Sequence, residues 1–267
     1  MAQDTFIPRS HFNPVNVFLN EACNPDFEAL VADIAKVEPI KVDSSQDGSA
    51  VISWRGCTFI LSVAAGPIAR HVYHGIASTT VFWPEAVTAL ASHKTFLTVA
   101  AFLRPDRLVE DLLTQSVLIR CLMEHLPVSG ILRGPALTSP EWYKFLVDRF
   151  HHNGRLPIPA WIKIQLSWDQ RGTVASTIGM RDFGFMEVEC NPSPLAPDPT
   201  LDVVQYFIGY VLDNGPVLSD GDTIDFAEDM NTYDRAIRVH HAPSFREGCG
   251  TVYLFDFNGV DGVMDRP

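Results

Sequence analysis

Thr173-Val-Ala-Ser-Thr-Ile-Gly-Met-Arg-Asp-Phe-Gly-Phe-Met-Glu-Val-Glu-Cys-Asn191-Pro192 is followed by Asp198-Pro199-Thr200-Leu201, and then by Ser219-Asp220-Gly221-Asp222-Thr223-Ile224-Asp225-Phe226. Read in order, these are a strand-like run, an acidic strand bounded by proline, a capped helix and an acidic turn. Asp198 suits an N-cap and Pro199 the first helical position, where its missing N–H costs nothing and its φ is already helical. Leu201, Val204, Ile208, Val211 and Leu212 recur at helical spacing, with Tyr206 and Phe207 widening the apolar face, until Asn214-Gly215-Pro216 supplies a stop. Strand alternation places Glu187 and Glu189 on one face, and that face is expected to meet water.

Outward from this stretch the same two periods alternate. Val15 to Leu19 reads as a buried strand, and Asn24-Pro25 as the cap of a helix whose Phe27, Leu30, Val31 and Ile34 make one apolar stripe. Ile40 to Val42 reads as a strand and Ser44 to Ser49 as a turn-rich loop. Ala50 to Trp54 and Cys57 to Val63 form a hairpin around Arg55-Gly56. Ile68 to Val81 fits helix or strand, and a helix follows Trp83-Pro84-Glu85. Thr95 to Leu103, almost continuously apolar, predicts a central strand buried on both faces. Pro105 opens what reads as the longest helix, to about His125. Val128 to Leu132 is a short strand, and Ser139-Pro140-Glu141 starts a helix.

Two prolines between Arg155 and Pro159 mark a boundary, giving an N-terminal lobe over 1–155 and a strand-rich lobe over 156–267, equally readable as one domain. In the second lobe Trp161 to Trp168 alternates as a half-buried strand and turns at Asp169 to Gly172. Further strands are expected at Thr223 to Phe226, Ile237 to His240 and Thr251 to Phe257, with a loose tail from Gly259 to Pro267. The expected class is α+β: mixed or antiparallel sheets flanked by helices, two packed lobes in one compact unit.

The 267 residues, 46% hydrophobic and 19% charged, are enough to bury a sizeable core. No run of about 18 uncharged apolar residues occurs, and Met1-Ala2-Gln3-Asp4 lacks a secretory signal's basic stretch and apolar core, so a cytoplasmic location is expected. Cys23, Cys57, Cys121, Cys190 and Cys249 are odd in number, far apart and never in a Cys-x-x-Cys pair, which predicts reduced thiols. A formal net charge of −12 disfavours phosphate backbones and anionic membranes, since Lys and Arg drive both associations. It suits a cationic partner, although ordinary solvated surfaces are also acidic.

Six of the nine histidines sit close together in sequence, at His71 and His74, His151 and His152, and His240 and His241, without the i, i+4 spacing that turns two imidazoles toward one zinc. The turn Asp220-Gly221-Asp222-Thr223-Ile224-Asp225, with Glu228 and Asp229 beyond, lacks the order and closing glutamate of a calcium loop. No metal and no cofactor are therefore expected, and the cluster is read as a solvated turn or a protein contact. Glu187 and Glu189 could be paired carboxylates of a hydrolase, but spacing alone does not make them a site. No nucleophile elbow, phosphate-binding P-loop or dinucleotide fingerprint is present, so no catalytic residue is assigned. The five tryptophans read as core or sheet-packing residues, each needing an indole partner if buried.

Gly179-Met180, Phe183-Gly184, Met186-Glu187-Val188-Glu189 and Asp220-Gly221-Asp222-Thr223-Ile224, with Trp83 and the apolar strand near His93, resemble a bacterial family known as domain of unknown function 4261. The resemblance spans about Val15 to Phe257. It implies an α+β cytoplasmic protein, some of whose relatives look like immunity or accessory proteins of toxin systems, and it brings no catalytic residue. Two functions follow. One is a non-enzymatic binding protein, immunity-like, that neutralises a basic toxin through Asp220, Asp222, Asp225, Glu228 and Asp229. The other is a carboxylate-dependent hydrolase or transferase with its site in the C-terminal lobe.

Overall fold

Residues 12–23, 25–36, 39–226 and 235–257 are described in the computed structural model, and the chain divides after Lys163 into two units. Both are α+β. Pro157 and Pro159 do not mark a linker. They lie at the start of a short helix whose Trp161 carbonyl accepts from Arg133 (2.6 Å) and whose Trp161 indole donates to Ser116 (2.8 Å), which ties it to the first unit.

The N-terminal unit runs β1 (Phe12–Leu19), α1 (Phe27–Ala35), β2 (Ile40–Gln46), β3 (Ser49–Trp54), β4 (Cys57–Val63), α2 (Arg70–Ala77), α3 (Ala86–Ala89), β5 (Thr95–Phe102), α4 (Leu108–Leu122), β6 (Val128–Arg133), β7 (Ala136–Thr138), α5 (Pro140–Asn153) and α6 (Ile158–Trp161). Its seven strands form one sheet in the order β2-β3-β4-β5-β1-β6-β7, with every pairing among the described residues antiparallel. β5 lies between β4 and β1, and Leu97, Val99, Ala100 and Ala101 are buried, as the continuous apolar run predicts. Phe18, Leu132 and Leu137 pack with Tyr73, Trp83, Ala86 and Leu90 on one side of the sheet. On the other, Gln115 of α4 accepts from Asn13 (2.6 Å) and donates to the Asn13 and Val99 carbonyls (2.9 Å each). Gly130 permits the close approach of the first group: a Cβ there would lie 2.8 Å from Leu90 Cδ2 and 3.1 Å from the Trp83 ring.

Several boundaries differ from the sequence reading. The first helix is capped by Asp26, whose carboxylate accepts from the Glu28 and Ala29 amides (3.0 and 3.1 Å); Asn24 is outside the described residues. The ambiguous segment after Ile68 forms α2, and Pro105 opens a 3-10 turn before α4, which at 15 residues is shorter than the 18-residue helix of the second unit. β2 continues through Ser44 to Gln46 where a loop was expected, because it pairs with β3 across the Asp47-Gly48 turn. β7 is too short to show a period.

The C-terminal unit holds β8 (Lys163–Asp169), β9 (Gly172–Ile178), β10 (Glu187–Ser193), α7 (Pro197–Asn214), β11 (Thr223–Phe226), β12 (Arg235–Pro243) and β13 (Thr251–Asp256). The sheet order is β11-β12-β13-β10-β9-β8, and β10 runs parallel to β13 and antiparallel to β9. The tail from Gly259 lies outside the described residues. Lys163, expected on a polar strand face, is the last residue of the N-terminal unit; it is buried there and donates to Thr79 Oγ1 (2.6 Å), and burial lowers its pKa. α7 starts one proline earlier than its spacing suggests: Pro197 holds the first turn, Ala196 is the cap, and Asp198 sits in the first turn, where its charge favours the helix dipole.

α7 buries Val203, Val204, Phe207, Ile208 and Val211. Phe207 meets Tyr253 and Phe255 edge-on at 5.1 and 4.8 Å, and these two residues stand opposite Val188 and Cys190 in the β10–β13 ladder. All five cysteines are free thiols, and burial pushes Cys57 up to about 11 and Cys190 higher still. Ile208 has no exposed surface. Ile208→Ala is therefore expected to lower stability in urea denaturation by about 2 to 5 kcal/mol; a loss below roughly 0.5 kcal/mol, the ordinary surface range, would contradict this packing.

Candidate functional site

β10 is a central strand, and in a four-residue run it alternates carboxylates with apolar groups: Glu187, Val188, Glu189, Cys190. Val188 and Cys190 share their side of the sheet with the α7 contacts, which leaves Glu187 and Glu189 on the opposite side. That side is not wet. Glu187 is 4% and Glu189 1% exposed, which overturns the solvated face expected for them. Burying an ionised carboxylate is costly unless donors replace its water.

For Glu187 the donors come from the chain immediately before it. Gly179, with φ 116°, breaks the end of β9 into a 3-10 turn over Met180–Phe183, and the turn's first amides converge on the carboxylate. Glu187 Oε1 accepts from the Gly179 and Arg181 amides (3.0 and 3.4 Å), and Oε2 from the Met180 amide (3.3 Å) and the Thr177 hydroxyl (2.7 Å). Thr177 Oγ1 in turn accepts from the Val188 amide at 2.8 Å. The side chain acts as an anion seated in the turn's unpaired N–H groups.

Glu189 is served by a segment far along the chain. Its Oε1 accepts from Ser244 Oγ (2.5 Å) and Arg246 Nε (2.9 Å), and its Oε2 from the Phe245 amide (3.1 Å). Arg246 also donates from Nη2 to the Thr177 carbonyl (2.9 Å), and its own amide donates to Ser244 Oγ (2.9 Å). Arg181 extends the arrangement by donating to the carbonyls of Cys249 and, at 3.3 Å, Thr251. Gly250 leaves room for it, since a Cβ there would lie 3.2 Å from Arg181 Nη2. The two glutamates thus hold the 179–183 turn and the 244–250 loop against the sheet. An acid or base in a hydrolase needs an oxygen open to substrate; here the donors just named already occupy both oxygens of each carboxylate.

The acidic turn is built differently. Gly221, with φ 89°, supplies the left-handed residue that leads into the edge strand β11. Asp222 accepts from the Ser219 amide (2.7 Å) and Asp220 from the His241 amide (2.9 Å). The His241 amide, with a smaller contribution from His240, holds the Asp220 carboxyl below the ordinary carboxylate range. His240 Nδ1 lies 3.3 Å from Asp220 and Nε2 3.8 Å from Asp256. Asp220, Asp222 and Asp225 are all exposed, while Glu228 and Asp229 lie outside the described residues. Three of the five expected contact residues therefore stand on one surface turn and the strand that follows it. Among the described residues, no group of three or more His, Cys, Asp or Glu side chains is placed to hold a metal ion.

Sequence reasoning paired Glu187 with Glu189 but missed Thr177, Arg181, Ser244 and Arg246. A usable signal was present: two glutamates interleaved with Val188 and Cys190 in a strand between two others, a setting that predicts burial and so demands donors.

An α+β unit with a central strand of clamped carboxylates is thus the class that fold and site define. The family model described as "Domain of unknown function (DUF4261)" matches residues 176–254, within the C-terminal unit. The match is narrower than the span read from the sequence and contains both carboxylates together with Thr177, Arg181, Ser244, Arg246 and the acidic turn. No curated protein and no solved structure matches the chain. Among the described residues, no helix is long and apolar enough to cross a membrane.

Glu189→Gln keeps the shape of the clamp and removes the charge that Arg246 meets. It is expected to cost about 1.5 to 3 kcal/mol in chemical denaturation, the range for hydrogen bonds to charged groups. A variant as stable as the parent chain would mean that the carboxylate is not a clamp, since catalytic groups are the ones a fold holds at a loss.

Proposed function

We propose that this protein is a non-enzymatic, cytoplasmic binding protein of bacterial origin. In this reading it is immunity-like and neutralises a basic toxin through the acidic surface of its C-terminal unit. One observation carries the reading: the paired carboxylates that a carboxylate-dependent hydrolase or transferase would draw on accept from internal donors, while Asp220, Asp222 and Asp225 face solvent. The formal charge of −12 supports it, because a summed negative field attracts a cationic partner over distance and aligns it before contact. Asp220 and Asp222 are also held by backbone donors, so their charges are presented from a defined turn.

Replacing Asp220, Asp222, Asp225 and Asp229 by Asn and Glu228 by Gln keeps an acceptor oxygen at each position and removes the charges. Binding to the product of the neighbouring gene would be followed by surface plasmon resonance at low and moderate salt, with the fold checked by thermal melting. The association rate is expected to fall about tenfold or more at low salt and to lose most of its salt dependence, since steering charges act mainly on encounter. An unchanged rate and salt slope would remove this surface from the interaction. A parent protein that binds no such product would contradict the reading itself.

A further inference from the structure

The outer face of α7 takes no part in the carboxylate clamp or in the sheet packing. The helix's 18 residues bury Val203, Val204, Phe207, Ile208 and Val211 on one side. On the other, Asp202, Tyr206, Tyr210 and Asp213 follow at intervals of four, four and three, the spacing of neighbours on one helix face. All four are exposed, Tyr206 to 57% and Tyr210 to 38%. Gly209 lies between Tyr206 and Asp213 on that face and projects no side chain, in a helix interior where glycine is disfavoured.

Charge on this face is one-sided. α7 contains no Lys or Arg. Asp111 of α4 and Asp148 of α5 are each met by an arginine, Arg104 and Arg120, whereas Asp202 and Asp213 have no ion pair among the described residues. Asp213 is also poorly placed for stability. It stands in the last turn, where the helix dipole repels an anion, and desolvation holds its carboxyl above the ordinary carboxylate range. A residue that a fold keeps at a loss points to a task outside the fold.

The face leads into the acidic turn. His241 Nε2 lies 3.1 Å from the Leu218 carbonyl, and the His241 ring meets Tyr253 edge-on at 5.3 Å, the same ring that packs against Phe207. The segment joining α7 to the turn therefore passes on the α7 side of the sheet and connects the two acidic surfaces.

We propose that this face is a docking site for an arginine-bearing segment of a protein partner. A guanidinium can stack on a tyrosine ring while its N–H groups reach a carboxylate, and Asp202 with Tyr206 and Tyr210 with Asp213 offer that combination twice. An ammonium is more strongly hydrated and makes no planar stack, so the face selects Arg over Lys. Charge complementarity sets the occupant, because two carboxylates stand here without a cation in a chain of formal charge −12. This assignment rests on the cationic partner proposed above and adds the residues, and the kind of side chain, by which that partner is held.

Hexa-arginine and hexa-lysine peptides are the probes, each titrated calorimetrically into the full chain at low salt. Hexa-arginine is expected to saturate with a Kd below about 1 mM and hexa-lysine to bind about threefold or more weakly. Replacing Tyr206 and Tyr210 together by Ala, which suits an exposed helix position, should weaken hexa-arginine about fivefold or more and remove its advantage over hexa-lysine, with thermal melting showing the fold intact. Replacing Asp220 and Asp222 by Asn should weaken both peptides alike. Peptides that bind with no preference for arginine, or a tyrosine variant that binds as the parent does, would overturn this assignment and leave the proposed function standing. Binding of neither peptide by about 10 mM would contradict both.

Discussion

The structure of the C-terminal unit depends on two negative charges placed inside a sheet. Glu187 and Glu189 occupy alternate positions of β10, a strand paired on both sides, and neither has appreciable access to water. A carboxylate in such a place raises the free energy of the fold unless donors surround it, and the donors here are loop groups that would otherwise lack partners themselves. The requirement is mutual. The Gly179–Arg181 amides need an acceptor because a 3-10 turn leaves its first N–H groups unpaired, and the Ser244–Arg246 segment needs one because it leaves β12 without continuing a ladder. A hydrophobic pair at 187 and 189 would pack the sheet but leave both loops without an anchor.

This constraint explains why the carboxylate pair is poor material for catalysis and good material for rigidity. A satisfied polar network in a low-dielectric setting holds its members in one geometry. The acidic turn benefits indirectly: β12, which leads into the 244–250 loop, pairs with β11 and supplies the His241 amide that holds Asp220. Surface charge is presented from a framework whose positions are set further inside. Under the proposed function, that division leaves the buried charges with a structural task and the exposed ones with recognition.

How much of this was legible follows from where each interaction's partners lie in the chain. α7 was readable, because Val204, Ile208 and Val211 mark its buried face within one local window, and the adjacent Pro197 and Pro199 blurred its start only slightly. The β3–β4 hairpin and β5 were readable for the same reason. Lys163 and Glu189 were not: an alternating pattern marks polar side chains for solvent, and what buries them is a donor or acceptor more than fifty residues away, Thr79 for one and Ser244 to Arg246 for the other.

Amide hydrogen exchange, resolved residue by residue, tests the central claim most directly. If the buried carboxylates pin the two loops, the Gly179, Met180 and Phe245 amides, which donate at 3.0, 3.3 and 3.1 Å, should exchange as slowly as amides of the β10–β13 ladder. Loop amides elsewhere should exchange orders of magnitude faster, because opening them costs little. Fast exchange at these three positions in the folded protein, with the ladder still protected, would contradict the account.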